Sequence, residues 1–155
     1  MLKFSEQDPL SPARCRKRAM DALARREHSR LELNQKLRDA GFPEETVLST
    51  LDRLADERLQ CDERFVEVFI SSRFRQGKGP VRIRSELSQR GVSAAMVEAV
   101  LRTANFDWYA LACRVRESKF GADPIADFKE RARQMRFLSY RGFNTDQIQS
   151  ACGDR

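Results

Sequence analysis

LSQRGV, at Leu87–Val92, is the middle one of three related stretches that decide the fold. LRDAGF at Leu37–Phe42 precedes it and LSYRGF at Leu138–Phe143 follows it, so the glycine recurs every 50 or 51 residues. Self-similarity at a fixed period is typical of tandem-repeat proteins, in which each unit packs against its neighbour. An elongated array of this kind presents a long surface to a large partner, which favours a binding protein over an enzyme.

Each of these stretches predicts a helix, a stop and a second helix. Apolar residues before the glycine lie four apart, as at Ile83 and Leu87. The glycine fits the left-handed residue that commonly follows the last helical turn. After the glycine, apolar residues resume at helical spacing, as at Val97, Val100 and Leu101. Each stretch, which we call the repeated phrase, therefore accounts for two helices of its repeat together with the residues that flank it.

A further amphipathic segment precedes each phrase and supplies a third helix, for example around Phe65 and Phe69. The junction between the first and second helices is predicted at Ser29–Glu32, Gly79–Pro80 and Asp123–Pro124. No segment shows the sustained two-residue alternation of a strand. The sequence thus predicts an all-α fold of three tandem three-helix repeats, roughly nine helices in all.

The repeats divide nearly the whole chain, and the third is the least regular. Met135 and Phe137 are out of step by one position with Ile83 and Leu87 of the second repeat. Two prolines and several polar residues indicate a mobile start of the chain. The predicted segments are a flexible N-terminal tail at 1–13 and repeats at 14–58, 59–105 and 106–155.

Positive charge is concentrated around the second helix of each repeat or the loop before it. The net charge is +6, with 29 Lys and Arg against 23 Asp and Glu. Residues 71–90 carry six basic side chains against one acidic, whereas residues 42–68 carry eight acidic side chains against three arginines. Stacked repeats would form a basic stripe that attracts a polyanion or an acidic protein surface. Simple solvation of the outer faces is the alternative for any single patch.

The candidate partner-binding residues are the basic side chains at these equivalent repeat positions, because arginine can bind phosphate or carboxylate through two hydrogen bonds. They are Arg25, Arg26, Arg30, Arg73, Arg75, Lys78, Arg82, Arg84, Arg131, Arg133, Arg136 and Arg141. Three aromatic residues, Phe74, Phe120 and Tyr140, lie among them. Packing is favoured over partner contact for each, with stacking on a nucleic-acid base as the alternative.

No catalytic, metal or cofactor site is predicted. The single histidine, His28, has no identifiable partner and is expected to be exposed beside the Ser29 cap. The four cysteines are too scattered for a zinc cluster. The loop at 76–80 is glycine-rich but lacks the spacing of a phosphate loop. Without a long apolar run or a signal-like start, we expect a cytoplasmic protein with no membrane contact.

Several segments resemble RecX, the bacterial regulatory protein of the RecA recombinase. They are DERF at 62–65, GKGPVRIRSELSQRGVS at 77–93, RARQMRFLSYRGF at 131–143 and ARREHSRLEL at 24–33. The resemblance extends over about residues 14–152. It implies three three-helix units in a curved, elongated molecule, expected to be a monomer. The family has no short catalytic signature, so no residue inherits a role from it.

The resemblance implies a non-enzymatic regulator of recombination, DNA repair and the SOS response. Such a protein would bind in the groove of the RecA–single-stranded DNA filament and restrain strand exchange, ATP hydrolysis and co-protease activity. Replacing Arg73, Arg75, Lys78 and Arg82 together with alanine is then expected to weaken inhibition while helicity is kept. The alternatives are a nonspecific nucleic-acid-binding protein and an adaptor for another acidic partner.

Overall fold

The computed structural model describes Ser5 and residues 8–153, and the regular structure in that part of the chain is entirely helical. This confirms the all-α prediction. The helices are α1 (Pro12–Arg25), α2 (Arg30–Asp39), α3 (Glu44–Asp56), α4 (Asp62–Arg75), α5 (Pro80–Gln89), α6 (Ala94–Ala104), α7 (Trp108–Phe120), α8 (Phe128–Tyr140) and α9 (Thr145–Cys152). Of these helices, none combines the length and the hydropathy needed to cross a bilayer.

The helices form three units, α1–α3, α4–α6 and α7–α9, and the extensive helix packing lies within each unit. Each unit has its own apolar core. Leu37, Leu87 and Leu138, each four residues before the repeated glycine, are fully buried in these cores. The protein exposes 9973 Å², against about 8,000 Å² for a compact monomer of 17.9 kDa. The three units therefore form an extended array.

Two helix starts differ from the sequence prediction. Helix α8 begins at Phe128 and not at Asp123–Pro124, because Asp127 supplies the cap and accepts a 2.7 Å hydrogen bond from the Glu130 amide. Helix α1 begins at Pro12, inside the range predicted as a tail, after the buried cap Ser11. Residues 1–4, 6 and 7 of that range lie outside the described residues.

The repeated glycine ends the second helix of each unit, as predicted, with φ of +96°, +76° and +98° at Gly41, Gly91 and Gly142. In units two and three this glycine also lies at the junction with the preceding unit, against Leu31 and Arg82, which the sequence did not indicate. At the first junction, between units one and two, the Ser29 hydroxyl donates a 2.8 Å hydrogen bond to the Arg90 carbonyl.

At the second junction, between units two and three, backbone meets backbone. The amide of Gly79 donates to the carbonyl of Arg141 at 2.8 Å, and the amide of Val81 donates to the carbonyl of Gly142 at 2.9 Å. The end of α8 therefore meets the start of α5, as the end of α5 meets the start of α2. The second helices form a head-to-tail row in which the negative end of one dipole faces the positive end of the next.

The irregular sequence of the third unit reflects a polar residue in its core. Eight residues before the glycine, units one and two bury Leu33 and Ile83, whereas unit three buries Gln134. The Gln134 side-chain oxygen accepts a 2.8 Å hydrogen bond from Nε of the buried Arg116. Because the two polar groups satisfy each other, unit three can bury them.

His28 is only 4% exposed, so the prediction that it is exposed was wrong. It lies at the first junction, where Nδ1 is 3.0 Å from the Arg26 carbonyl oxygen. The side-chain amide of Gln60 donates to the His28 carbonyl at 3.3 Å. Burial lowers the pKa of His28, and the hydrogen bond to the Arg26 carbonyl only partly offsets that effect.

Candidate partner-binding surface

The basic residues of the first junction gather around one carboxylate, Glu32. Arg26 Nη2 lies 3.0 Å from Glu32 Oε2, and Arg90 Nε lies 3.7 Å from the same oxygen. Glu32 also closes the capping box of α2 by accepting a 3.1 Å hydrogen bond from the Ser29 amide. Burial opposes ionisation of Glu32, but the hydrogen bonds from Arg26 and Ser29 outweigh it and hold the pKa of the carboxyl below its ordinary value.

A matching arrangement centred on Glu86 lies next to it in unit two. Arg73 Nε is 2.8 Å from Glu86 Oε2, and Arg82 Nε is 3.0 Å from Glu86 Oε1. Burial again opposes ionisation of the carboxyl, and hydrogen bonds from both arginines outweigh it and lower the pKa of Glu86. Glu86 therefore stays charged and fixes two guanidinium groups in position.

The Phe69 ring and the Arg90 side chain join the two arrangements. Arg73 and Arg90 each place the guanidinium carbon over the Phe69 ring, at 4.3 and 4.8 Å from its centroid. Arg90 Nη1 also donates a 3.0 Å hydrogen bond to the Glu86 carbonyl. Stacking on an aromatic ring holds an arginine in a defined conformation while its outer nitrogens stay available.

We call this connected set the central basic cluster: Arg26, Arg73, Lys78, Arg82 and Arg90 with Glu32 and Glu86. Its five cations against two carboxylates leave a net charge of +3. Burial is the first cause of the lowered pKa of Lys78, and the neighbouring Arg82 adds to it. That repulsion would be relieved by an anion from outside the chain.

Tyr140 extends the central basic cluster to unit three. The Arg82 guanidinium carbon lies 5.9 Å from the Tyr140 ring centroid, and Tyr140 is 77% exposed. Phe74, by contrast, stacks on Phe106 at 4.5 Å between centroids, and Phe120 packs edge-on against Phe137 at 5.3 Å. Packing is thus confirmed for Phe74 and Phe120 and is contradicted for Tyr140.

The structure brings together only some of the twelve candidate residues. Arg26, Arg73, Lys78 and Arg82 lie in the central basic cluster. Arg30, Arg84 and Arg133 form ion pairs inside their own units with Asp52, Glu98 and Glu130, at 2.7, 2.6 and 3.0 Å. Arg131 donates to the Cys152 carbonyl at 2.8 Å, Arg75 and Arg141 line a separate cleft, and Arg25 and Arg136 are exposed.

Arg90 is the residue of the cluster that the candidate set omits. The signal for it was present, because Arg90-Gly91 and Arg141-Gly142 occupy the same place in the repeated phrase. The carboxylate of Glu32 was harder to place, since it lies on unit one and meets Arg90 of unit two only after the units dock.

Three helical units, a head-to-tail row of second helices and a basic cluster across the first junction define a tandem helical-repeat protein. Models of the first, second and third three-helix domains of RecX match residues 15–54, 62–101 and 107–152. The chain belongs to the RecX family.

Proteins similar to this chain in sequence are named as RecX. The chain is 50% identical over 139 residues to "Regulatory protein RecX" of Pseudomonas savastanoi pv. phaseolicola, with 89% of both chains covered. It is 44% identical over 138 residues to the protein of that name from Ectopseudomonas mendocina, covering 89% of this chain and 92% of the relative.

Solved structures confirm the fold. The crystal structure of RecX from Lactobacillus salivarius superposes with a TM-score of 0.75 at 20% identity, covering 90% of this chain and 93% of that one. A second crystal structure of regulatory protein RecX gives a TM-score of 0.76 at 19% identity, covering 95% and 78%.

Proposed function

We propose that this RecX-family protein docks on the helical filament that the RecA recombinase forms on single-stranded DNA. Docked there, it restrains strand exchange, ATP hydrolysis and co-protease activity, and so tunes DNA repair and the SOS response in the cytoplasm without catalysing a reaction itself. The observation that carries the proposal is the central basic cluster, which presents a net positive charge where units one and two meet.

The cluster suits a surface that carries many negative charges. Glu32 and Glu86 hold the guanidinium groups in position, so less side-chain freedom is lost when a partner binds. The remaining positive charge steers a filament of phosphates and acidic side chains toward the array. The row itself is long, because helices of 10, 10 and 13 residues placed end to end span about 50 Å. Such a length supports contact with more than one filament subunit.

A plain nucleic-acid-binding protein is the second candidate, supported by the exposed Tyr140 beside Arg82. Reading of a DNA groove by the helix after each glycine is disfavoured by charge. Helix α3 begins with Glu44 and Glu45, which would face the phosphates. Nonspecific affinity for single-stranded DNA should fall steeply as salt rises.

The test compares three targets at moderate salt: RecA–ATP filaments on single-stranded DNA, naked single-stranded DNA, and free RecA. We expect the filament to bind most tightly and its ATP hydrolysis to fall. Equal binding to naked DNA with unchanged hydrolysis would instead favour the nucleic-acid-binding protein.

A triple variant, Arg26→Gln, Lys78→Gln and Arg82→Gln, tests the cluster itself. It removes the ion pairs of Arg26 with Glu32 and of Arg82 with Glu86, but it retains the contacts of Arg73 with Phe69 and Glu86. The four-alanine variant suggested by the sequence would lose them.

We expect about tenfold weaker filament binding from the loss of three positive charges, of which Arg26 is exposed and Lys78 and Arg82 are half-buried. The matched control is Arg14→Gln, Arg18→Gln and Arg53→Gln, three exposed arginines outside the ion pairs of the described residues. Equal weakening in both variants would contradict the role given to the cluster.

A further inference from the structure

A second basic surface lies at the second junction, beside the Lys78 end of the central basic cluster. It is a cleft of about 530 Å³ formed by the end of α4, the outer face of α7 and the end of α8. Four cations line this junction cleft: Arg75, Arg114, Lys119 and Arg141. In the part of the chain that the structure describes, no aspartate or glutamate lines it.

These four cations differ from those of the central basic cluster because no carboxylate holds them. None of them takes part in an ion pair among the described residues. Arg73 and Arg82, by comparison, share Glu86. Four cations converging on one concave surface repel one another, and only an anion from outside these residues would neutralise them.

Neutral groups hold three of the cations in place. Arg141 donates from Nη2 to the Gln76 carbonyl, and from Nε to the Gly77 carbonyl at 3.3 Å. Arg114 lies over the Phe74 ring at 5.9 Å, and Lys119 lies over the Phe137 ring at 5.5 Å. The charges are therefore positioned without being neutralised.

The backbone at Gly77 admits this arrangement. A Cβ atom there would lie 2.9 Å from Val115 Cγ2 and 3.0 Å from Arg141 Nη2, and its φ is +77°. A side chain at this position would crowd Arg141 Nη2 and force that guanidinium group to shift.

The floor of the junction cleft is apolar. Leu111, Val115, Phe74 and Phe137 contribute to it. The faces of the two rings are largely taken: Phe74 contacts Phe106 and Arg114, and Phe137 contacts Lys119 and, edge-on, Phe120. A nucleobase would lack an open ring face on which to stack, whereas Leu111 and Val115 can receive an aliphatic or aromatic side chain from a peptide.

We propose that the junction cleft binds an acidic segment of a protein partner that carries one apolar anchor residue. The anchor packs against Leu111 and Val115, and the flanking carboxylates pair with Arg75 and Arg114 through two hydrogen bonds each. The chemistry is charge complementarity around an apolar floor. This surface is additional to the proposed function, which rests on the central basic cluster.

The chain provides its own reporter for the test. Trp108 is the single tryptophan, and its ring lies 5.2 Å from the Phe74 ring that forms part of the floor. The full chain is titrated with a short fluorescein-labelled peptide in which aspartates flank a central phenylalanine. Peptide anisotropy measures binding, and Trp108 fluorescence with an unlabelled peptide measures occupancy of the cleft.

We expect saturable binding that changes Trp108 fluorescence. Binding should be lost when the phenylalanine becomes serine or the aspartates become asparagines. The double variant Arg75→Glu and Arg114→Glu should weaken it at least about tenfold, since each change replaces attraction by repulsion. The matched control, Arg14→Glu with Arg18→Glu, alters the net charge equally on remote α1 and should bind like the unaltered chain.

Three results would overturn the proposal: no saturable binding, equal loss in the control variant, or displacement of the peptide by oligothymidine that itself depends on Arg75 and Arg114. The last would assign the cleft to nucleic acid. Because the titration contains neither recombinase nor filament, its failure leaves the proposed filament regulation intact.

Discussion

The two junctions connect the second helices in the same sense but with different chemistry. At the first junction, side chains make the connection: Ser29 donates to the Arg90 carbonyl, and Asp62 accepts from the Arg30 amide at 2.8 Å. At the second junction the amides of Gly79 and Val81 donate directly to the carbonyls at the end of α8. The hydrogen bonds across the first junction therefore use replaceable side chains, whereas those across the second use backbone groups alone. Both junctions need a glycine, since an added Cβ would lie 2.6 Å from Leu31 Cδ2 at Gly91 and 2.3 Å from Arg82 Cβ at Gly142.

The two junctions also differ in whether a second helix needs the neighbouring unit to satisfy the amides of its first turn. Helix α2 has a complete capping box of its own, formed by Ser29 and Glu32. Helix α5 has no side-chain cap, so the carbonyls of α8 satisfy two of its first amides. Unit two therefore relies on unit three more than unit one relies on unit two.

The largest effect should come from placing a side chain in the second junction. In Gly142→Ala, the new Cβ would lie 2.3 Å from Arg82 Cβ and 2.8 Å from the Arg82 amide nitrogen, at a φ of +98°. We expect a loss of about 3 kcal/mol or more in the free energy of unfolding, measured by urea denaturation.

Gly41→Ala separates the two causes of that loss. Gly41 holds the same place in unit one and has a φ of +96°, but the nearest atom to its added Cβ is Leu10 Cδ2 at 3.7 Å, an ordinary contact. We expect the backbone strain alone to cost about 1–2 kcal/mol. A similar cost for both variants would show that the second junction does not depend on close backbone approach.

An intermediate effect should follow from Ser29→Ala at the first junction. The fully buried Ser29 accepts from the Glu32 amide at 3.1 Å and donates to the Arg90 carbonyl, so alanine removes both a cap and a contact between units. We expect a loss of about 2 kcal/mol by urea denaturation. The exposed Ser85→Ala on α5 is the control and should change stability by less than about 0.5 kcal/mol. A cost as large as that of Gly142→Ala would remove the distinction between the junctions.

The smallest effect should be a pH dependence confined to the first junction. Burial lowers the pKa of His28 in the folded chain, whereas the unfolded histidine titrates at about 6.5. The unfolded chain then binds the proton more readily, so stability is complete above about pH 6.5 and declines as the pH falls below it. The groups that act on His28 are Arg26, Glu32 and Lys36.

Urea denaturation at a series of pH values between 7 and 5 measures this dependence. His28→Gln should flatten the curve, because the chain contains no other histidine. An unchanged slope in the variant would assign the pH dependence to other groups.

The sequence predicted the fold well because the repeated phrase combines local signals. Leucine four residues before a glycine, followed by apolar residues at helical spacing, specifies a buried helix, its end and the next helix. The docking of units was not predictable, since Gly79 and Arg141 meet across a long stretch of chain and no local pattern links them. His28 was misplaced for the same reason: the Gln60 side chain that contacts its carbonyl belongs to the linker before α4.

The basic surface was predicted only in outline. Counting charges by segment found the residues around Lys78, but ion pairs depend on which carboxylates the fold brings near. Arg84 is paired with Glu98 of the following helix, and Arg131 donates to a carbonyl inside its own unit. Arg75 and Arg73 are two residues apart, yet one lines the junction cleft and the other pairs with Glu86.

In the head-to-tail row, every unit has one end that receives a neighbour and one end that is received. This direction determines which units can be joined and how long the array can be. An Arg-Gly end receives a Gly-Pro start at the second junction, and unit two has both, at Arg90-Gly91 and Gly79-Pro80. A duplicated copy of unit two would therefore carry compatible ends on both sides. The number of units could therefore be changed by design. A four-unit chain would show whether a longer contact along the filament gives stronger inhibition.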